Sequence, residues 1–486
     1  MATAATPVSG SPREARAGAG PDGLRRGLPP GPRLPALVQT LGWAFRPTQL
    51  MDHCARTLGD AFTITFWPSG MQLAMFSDPE AVKSLFTAPP ELAPSAARLS
   101  PLAAVVGESS VLVAIGPEHM RQRKLLLPPF HGERMREYEG VIERATRADM
   151  RRLPLGRPVR MQAHTRAITL EVILRAVFGV QDERIEPLRK AIADLFEPPQ
   201  VLTILRAIMQ RPGAARPTGA IGRALDRLDA LIYREIACRR GEADVERRAD
   251  ILSLLLGARD EQGQAMTDRE LRDELVTLLL AGHETTATSV AWALERLVRH
   301  PGKLARLQRE LDEGDGEEYL TAVVNETLRV RPVVPIVIRM LTGELEVGGY
   351  ALPEGTRAVP SLYLTNRNAA TYERPAEFEP ERFLGNSPET FSWIPFGGGI
   401  RRCIGAAFAQ LEMKVMLRTM LSELEPSAPG GRGARGERIR RRAVTLVPAR
   451  GARIVWSARG PGGAPRAPAA GTPSAAAPRD PSRGAG

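Results

Sequence analysis

Only three cysteines occur in 486 residues, Cys54, Cys238 and Cys403, too few and too dispersed for a disulfide framework. Their scarcity excludes the small stapled folds of oxidising compartments and predicts a cytoplasmic protein. The six histidines are scattered, and no Cys/His spacing of a zinc site appears. The first 35 residues, rich in Ala, Gly, Pro and Arg, lack any apolar run near the ~18 to 20 residues that a membrane span needs. A soluble protein with no membrane anchor follows. An Arg-rich, acid-poor start can also mimic a transit peptide, but Pro7, Pro12, Pro21, Pro29, Pro30 and Pro32 break any amphipathic helix there.

Charge is abundant but badly spread. The net charge is +11, yet residues 1–33 hold five Arg against Glu14 and Asp22, and residues 431–486 hold twelve Arg against Glu437 and Asp480. The two ends therefore carry +3 and +10, and the body between them about −2. Neither end has interleaved aromatics or a nucleic-acid motif, so biased composition explains the basicity and no nucleic-acid partner is expected.

A Pro-rich entry, Leu28-Pro29-Pro30-Gly31-Pro32-Arg33, leads to helical spacing over Leu37 to Leu58. Phe62 to Phe66 and Met71 to Phe76, separated by Pro68-Ser69-Gly70, read as a hairpin. From Pro79 to Leu424 most segments have helical spacing, with short strands around Leu345 to Val359 and turns at Gly348-Gly349 and Glu354-Gly355. The β pattern returns at Ala443 to Val447 and Arg453 to Trp456. No repeat and no long linker divides the body. The expected fold is mainly α with small β-sheets (α+β): a disordered segment over 1–35, one domain over 36–459, and a disordered Pro/Ala/Gly-rich tail over 460–486.

The most informative stretch is Phe396-Gly397-Gly398-Gly399-Ile400-Arg401-Arg402-Cys403-Ile404-Gly405, running into a helical pattern from Ala406 to Met413. Backbone donors at a helix N-terminus favour an ionised sulfur. Glycines let a loop approach a flat ring and aim N–H groups at the sulfur. Arg401, two positions from the cysteine, suits an anionic group on a cofactor edge, and Phe396 can shield the sulfur from water. Taken singly, the cysteine also suits a buried structural role and the glycines a phosphate cradle.

A second feature is a helix of about thirty residues, roughly 45 Å, opened by the capping box Thr267-Asp268-Arg269-Glu270 and stopped at Pro301-Gly302. Its apolar middle is interrupted by Ala281-Gly282-His283-Glu284-Thr285-Thr286. Thr285 can bond back to the carbonyl of Ala281, which bends a helix and opens a groove beside small Ala281 and Gly282. A kink filled by a structural water is the plainer alternative. Elsewhere Glu326 and Arg329, at i and i+3, face one side of a helix and by themselves read as an ordinary ion pair.

The cysteine loop resembles the heme-binding signature of the cytochrome P-450 superfamily of heme-thiolate monooxygenases, and the resemblance covers roughly residues 36 to 459. It implies the fold of that superfamily, a long central helix over the heme, and heme b (protoporphyrin IX iron) as cofactor with Cys403 as axial ligand and Gly405 in the cofactor loop. It implies that Glu284 and Thr285 are the acid and alcohol that handle protons and dioxygen. His283 stays structural. Arg382, in Pro380-Glu381-Arg382-Phe383, would join Glu326 and Arg329 in a structural network. His119, Arg123 and Arg339 would join Arg401 around the heme propionates, with surface solvation as the bland alternative.

The resemblance, closest to soluble bacterial fatty-acid and terpenoid hydroxylases, further implies a monomer that inserts one atom of O2 into an apolar substrate: a fatty acid, terpenoid or polyketide. Lacking a flavin or NAD(P)H domain, the chain would take electrons from ferredoxin and ferredoxin reductase, or flavodoxin. Arg121, Lys124, Arg402, Lys414 and Arg418 would present positive charge to an acidic ferredoxin, or simply form a solvated face. Pocket walls are expected at Leu102 to Val113, Leu195 to Leu205, before Ala281, at Val334 to Val337, and at Ala443-Val444. Rival readings are a peroxide-driven or isomerising enzyme of the same fold, and a non-catalytic heme or ligand-binding protein.

Overall fold

Thr267 starts the longest helix as the spacing predicts. Its hydroxyl accepts the Glu270 amide at 3.2 Å, and the Glu270 carboxylate accepts the Thr267 amide at 2.7 Å. In the computed structural model, which describes residues 24–459 apart from 100–101, 131, 133, 180–181, 197–216, 315, 387–388 and 432–434, this helix spans Asp268–Arg299. Its 32 residues reach about 48 Å. Pro301, at the first position of the next helix, forces the break, because its ring cannot continue the hydrogen-bond ladder.

Most of this central helix is buried, so it needs neighbours on several sides. The helix Met161–Phe178 packs along it, and Ala406–Glu423 and Glu318–Val330 close two further sides. Arg134–Met150 in turn packs on Met161–Phe178 and Ala406–Glu423. Leu174, Leu279, Val290 and Met416 belong to the one large apolar core these helices share.

Four small sheets complete the described fold. Ala61–Thr65 and Gln72–Phe76 form the expected hairpin, with Thr63 opposite Ala74, and Arg357–Pro360 and Arg339–Met340 extend it to four strands. Leu345–Val347 and Tyr350–Leu352 pair across Gly348-Gly349, whose φ values of 55° and 78° favour residues without a β-carbon. Thr445–Pro448 pairs with Ile439–Arg442, a strand whose run of arginines hides any alternation.

Two expectations shift. Leu37 to Leu58 is two helices, Ala36–Phe45 and Pro47–Leu58, because Pro47 lacks an amide and starts a new first turn. Residues 24–35 belong to the folded body: Arg25–Arg26 pair in parallel with Tyr350 and Ala351, and Pro30 accepts the Thr63 amide at 3.0 Å. Residues 1–23 and 460–486 of the expected disordered ends lie outside the described residues. No helix among the described residues is long and apolar enough to cross a membrane.

Candidate heme-thiolate site

The loop before Cys403 is a series of tight turns. Gly397 donates to the Ile394 carbonyl at 2.9 Å, and the Cys403 amide folds back to the Phe396 carbonyl at 3.0 Å. Gly397 and Gly399 have φ of 70° and 64°. A β-carbon on Gly398 would lie 2.7 Å from the Phe86 ring, and one on Gly399 would lie 2.1 Å from the Phe86 carbonyl oxygen. These two glycines are therefore dictated by Phe86, on the helix Pro79–Thr87, a packing reason that local sequence does not reveal. A β-carbon at Gly397 or Gly405 would meet nothing within 4 Å. Phe396 packs against Trp393, with ring centroids 6.0 Å apart.

Cys403 lies deep in the protein, where burial pushes its thiol above the ordinary range, partly offset by the Gly405 amide and by Arg123 and Arg402. Yet the residue keeps accessible surface. Burial thus outweighs the backbone donors at the helix N-terminus, and a coordinated metal ion would favour the thiolate instead. Cys54 is packed in a separate apolar cluster with Trp43 and Met51, and Cys238 lies exposed on the helix Gly219–Arg240.

Four basic side chains converge from three elements. His119 and Arg123 lie on Gly116–Leu126, Arg339 on the strand Arg339–Met340, and Arg401 in the cysteine loop. His119 is buried with Nδ1 unpartnered, and burial, then Arg401, Arg123 and Arg339, lower its pKa to about 4. Arg401 donates to the carbonyls of Val111, Leu112 and Ala114, and Arg123 to that of Arg402 at 2.8 Å. Burial and the neighbouring Arg339 and Arg123 lower Arg401 to about 10. Among the described residues no carboxylate forms an ion pair with any of the four. Mutual repulsion of buried cations is costly unless an anion joins them. The unpartnered His119 nitrogen and this acid-free cluster fit the two carboxylates of a heme.

Midway along the central helix, neighbouring residues differ in exposure. Ala281 is exposed and Thr285 half-buried, whereas His283, Glu284 and Thr286 are buried. Thr285 donates to the Ala281 carbonyl at 2.8 Å, as its spacing predicts. His283 bonds the Leu279 carbonyl through Nδ1 at 2.8 Å, and burial lowers its pKa to about 4. Glu284 points away from Thr285's side of the helix. Arg166 Nε lies 2.7 Å from Oε2, and Arg442 Nη1 donates to Oε1 at 3.2 Å. Burial nevertheless raises the Glu284 pKa, outweighing both guanidinium groups. Sequence reasoning missed Arg166 and Arg442, which come from Met161–Phe178 and from the strand Ile439–Arg442; nothing in local spacing links them to Glu284.

Glu326 and Arg329 are fully buried and bidentate, at 2.6 and 2.8 Å. Arg329 also donates to the carbonyls of Asn366, Pro375 and Glu377, and Arg382 reaches Glu326 at 3.4 Å. The Glu379 amide adds a 2.7 Å bond to Glu326. The pair thus ties the helix Glu318–Val330 to residues 366–382, the segment before the cysteine loop.

The expected positive docking face is largely neutralised. Arg121 pairs with Asp260 and Glu270, Lys124 with Glu261, Lys414 with Glu317, and Arg418 with Glu317 and Glu139. Of the five, only Arg402 forms no ion pair among the described residues, because acidic side chains distant in sequence settle on the others. Of the expected walls, Val106, Val111 and Val113 are buried, the Val111 carbonyl accepting from Arg401, and Val444 is 59% exposed, while residues 197–205 lie outside the described residues.

Comparison with known proteins agrees with this geometry. The family model for Cytochrome P450 matches residues 28–448. A Mycobacterium tuberculosis chain provisionally named cytochrome P450 137 is 40% identical over 444 residues, 89% of this chain and 92% of that one. Another, provisionally named cytochrome P450 135B1 from Mycobacterium bovis, is 41% identical over 436 residues, 88% and 91% of the two chains. In fold, the chain is similar to a cytochrome P450DA heme domain (TM-score 0.77, 23% identity, covering 90% of this chain and 98% of that one). It is likewise similar to retinoic acid-bound cyanobacterial CYP120A1 (TM-score 0.75, 23% identity, 89% and 99%). With its family model matched over residues 28–448 and relatives matched along most of their length, the chain belongs to the cytochrome P450 family, whose members are heme-thiolate monooxygenases in general.

Proposed function

We propose that this chain holds heme b through Cys403 and is a monooxygenase that inserts one oxygen atom of O2 into an apolar fatty acid, terpenoid or polyketide-like substrate. Electrons come from ferredoxin and its reductase, or from flavodoxin. The observation that carries this reading is the pairing of a deep but accessible Cys403 with the acid-free cluster of His119, Arg123, Arg339 and Arg401.

Heme bound there supplies dioxygen activation and oxygen-atom transfer, favoured by thiolate electron donation. The chain's own work is positioning, proton supply and exclusion of water. His119, Arg123, Arg339 and Arg401 hold the propionates, and Phe396 covers the sulfur side. Thr285, its proton directed at the Ala281 carbonyl, offers its oxygen lone pairs to the groove. Glu284, whose pKa burial raises, holds a proton more readily than a solvated carboxylate, and Arg166 and Arg442 fix its orientation. Glu326, Arg329 and Arg382 brace the scaffold and take no part in chemistry.

The reduced carbon monoxide complex should show the red-shifted band of thiolate ligation, and Cys403→His should abolish it while Cys54→Ser and Cys238→Ser leave it. A band that survives Cys403→His overturns the assignment. NADPH-dependent product with a surrogate ferredoxin and reductase separates a monooxygenase from a peroxide-driven, isomerising or merely heme-binding protein. A lipid library screened for the Soret shift then identifies the substrate class.

A further inference from the structure

The helix Glu318–Val330 ends against two arginines with no acid between them. Pro332 disfavours helical geometry at the residue before it, and the Arg331 backbone turns out of the helix at φ −135° and ψ 56°. The Val330 carbonyl, one of those a helix end leaves without a helical partner, is taken by two side chains instead. Arg331 Nη1 donates to it at 2.9 Å and Arg367 Nη2 at 2.5 Å. Sharing one acceptor brings the two guanidinium groups side by side. Each also lies over an aromatic ring, Arg331 with its Cζ 5.1 Å from the centroid of Trp292 and Arg367 with its Cζ 4.6 Å from that of Tyr363.

The charge of this pair is not matched. Neither arginine forms an ion pair among the described residues, and the Nε of each is buried without a hydrogen-bond partner. Glu295 attracts Arg331, but its oxygens already accept from Arg296, Arg299 and the Glu437 amide. Asp52, which attracts Arg367, accepts the Tyr363 hydroxyl at 3.1 Å. A helix C-terminus carries roughly −0.5 of an elementary charge, a quarter of what two guanidinium groups bring. Burial, then Arg296 and Arg367, accordingly lower the pKa of Arg331 to about 9. Both arginines still keep part of their surface accessible, so an anion can reach them.

We propose that Arg331 and Arg367 form an anion site, distinct from the cluster around His119, that binds the carboxylate or phosphate group of a small ligand. Arg331 Nη2 and Arg367 Nη1 make no hydrogen bond among the described residues, which leaves two charged donors for such a group. An anion there would supply the charge that the fold withholds from a half-buried cationic pair. The site is built from the central helix, the end of Glu318–Val330 and the turn after the helix Leu362–Thr365. None of these carries His119, Arg123, Arg339 or Arg401, so the inference does not depend on where heme binds.

The test uses the full-length holoprotein and calorimetric titration with inorganic phosphate and, separately, with acetate, in a buffer free of other oxyanions. At least one of the two should bind saturably without altering the reduced carbon monoxide spectrum. Arg331→Met and Arg367→Met should each weaken that binding by about tenfold or more. The same anion should raise the melting midpoint of the wild type by about 3 °C at saturation and leave that of Arg331→Met in place. If Arg331→Met loses heme, Arg331→Lys, which keeps the charge but not the planar fork, should still bind more weakly than the wild type. Phosphate alone would mark a phosphoryl ligand and acetate alone a carboxylate, and either supports the site. A wild type that binds neither overturns the proposal. So does binding undiminished in both Arg331→Met and Arg367→Met, which would assign the anion to the basic chain ends.

Discussion

Thr285 and Glu284 are adjacent in sequence but face different environments. The Thr285 hydroxyl borders the groove at Ala281, whereas the Glu284 carboxyl is clasped by Arg166 and Arg442. In the role proposed above, that hydroxyl is needed only after dioxygen has bound. Thr285→Ala should therefore retain heme and substrate binding but waste electrons, lowering product per NADPH by roughly tenfold or more, with peroxide or water released instead. Unchanged coupling would remove Thr285 from the proton path. Glu412 is a second buried acid on the scale of one side chain. Its carboxyl is within hydrogen-bonding reach of Thr286, and burial raises its pKa from 4.5 to about 8. Between those values the folded state keeps a proton that the unfolded chain releases, so the native state loses stability as pH rises through this window. Glu412→Gln should then melt close to wild type near pH 4.5 and progressively higher than wild type up to about pH 8, levelling beyond. A constant difference across pH would mean that Glu412 is ionised in the fold.

Among the elements, the helix Glu318–Val330 matters through the pair it buries. Arg329 has partners for Nε, Nη1 and Nη2: the Glu326 carboxylate and three carbonyls from residues 366–377. Removing one partner leaves a buried, uncompensated charge, typically about 3–5 kcal/mol. Arg329→Met should lower stability in urea by that order and reduce heme retention. Arg329→Met with Glu326→Gln should recover part of the loss, because no naked carboxylate remains. If the double variant were as unstable as Arg329→Met, the carbonyl bonds rather than the ion pair would be what the network provides.

At the scale of the whole molecule, net charge misleads. The body is close to neutral, and four of the five cations expected to greet a redox partner already face carboxylates. Lys414 is held by Glu317 at 2.7 Å, so Lys414→Gln should change ferredoxin-supported turnover little. Arg402 is exposed and borders the cysteine, and Arg402→Glu should lower turnover at limiting ferredoxin by about tenfold without altering the substrate-induced Soret shift. The difference between wild type and Arg402→Glu should shrink as salt shortens the screening length toward ~8 Å and below. Equal effects of Lys414→Gln and Arg402→Glu would restore the broad positive face.

Everything legible along the chain lies within a few residues or a few turns of helix. The capping box at Thr267, the Thr285 bond to Ala281, the i, i+3 pairing of Glu326 with Arg329 and the cysteine loop are all set by local hydrogen-bond reach and spacing. What those features meet depends on packing between segments far apart in the chain. Phe86 imposes Gly398 and Gly399, Arg166 and Arg442 clasp Glu284, and burial turns a thiol expected to ionise easily into one that ionises less readily. Such packing also joined Arg25–Arg26 to a sheet more than three hundred residues away, and turned the apolar side of Ala36–Phe45 outward. The reason is that desolvation and long-range charge depend on which distant side chains pack together, and a periodicity read along one element carries no record of its neighbours.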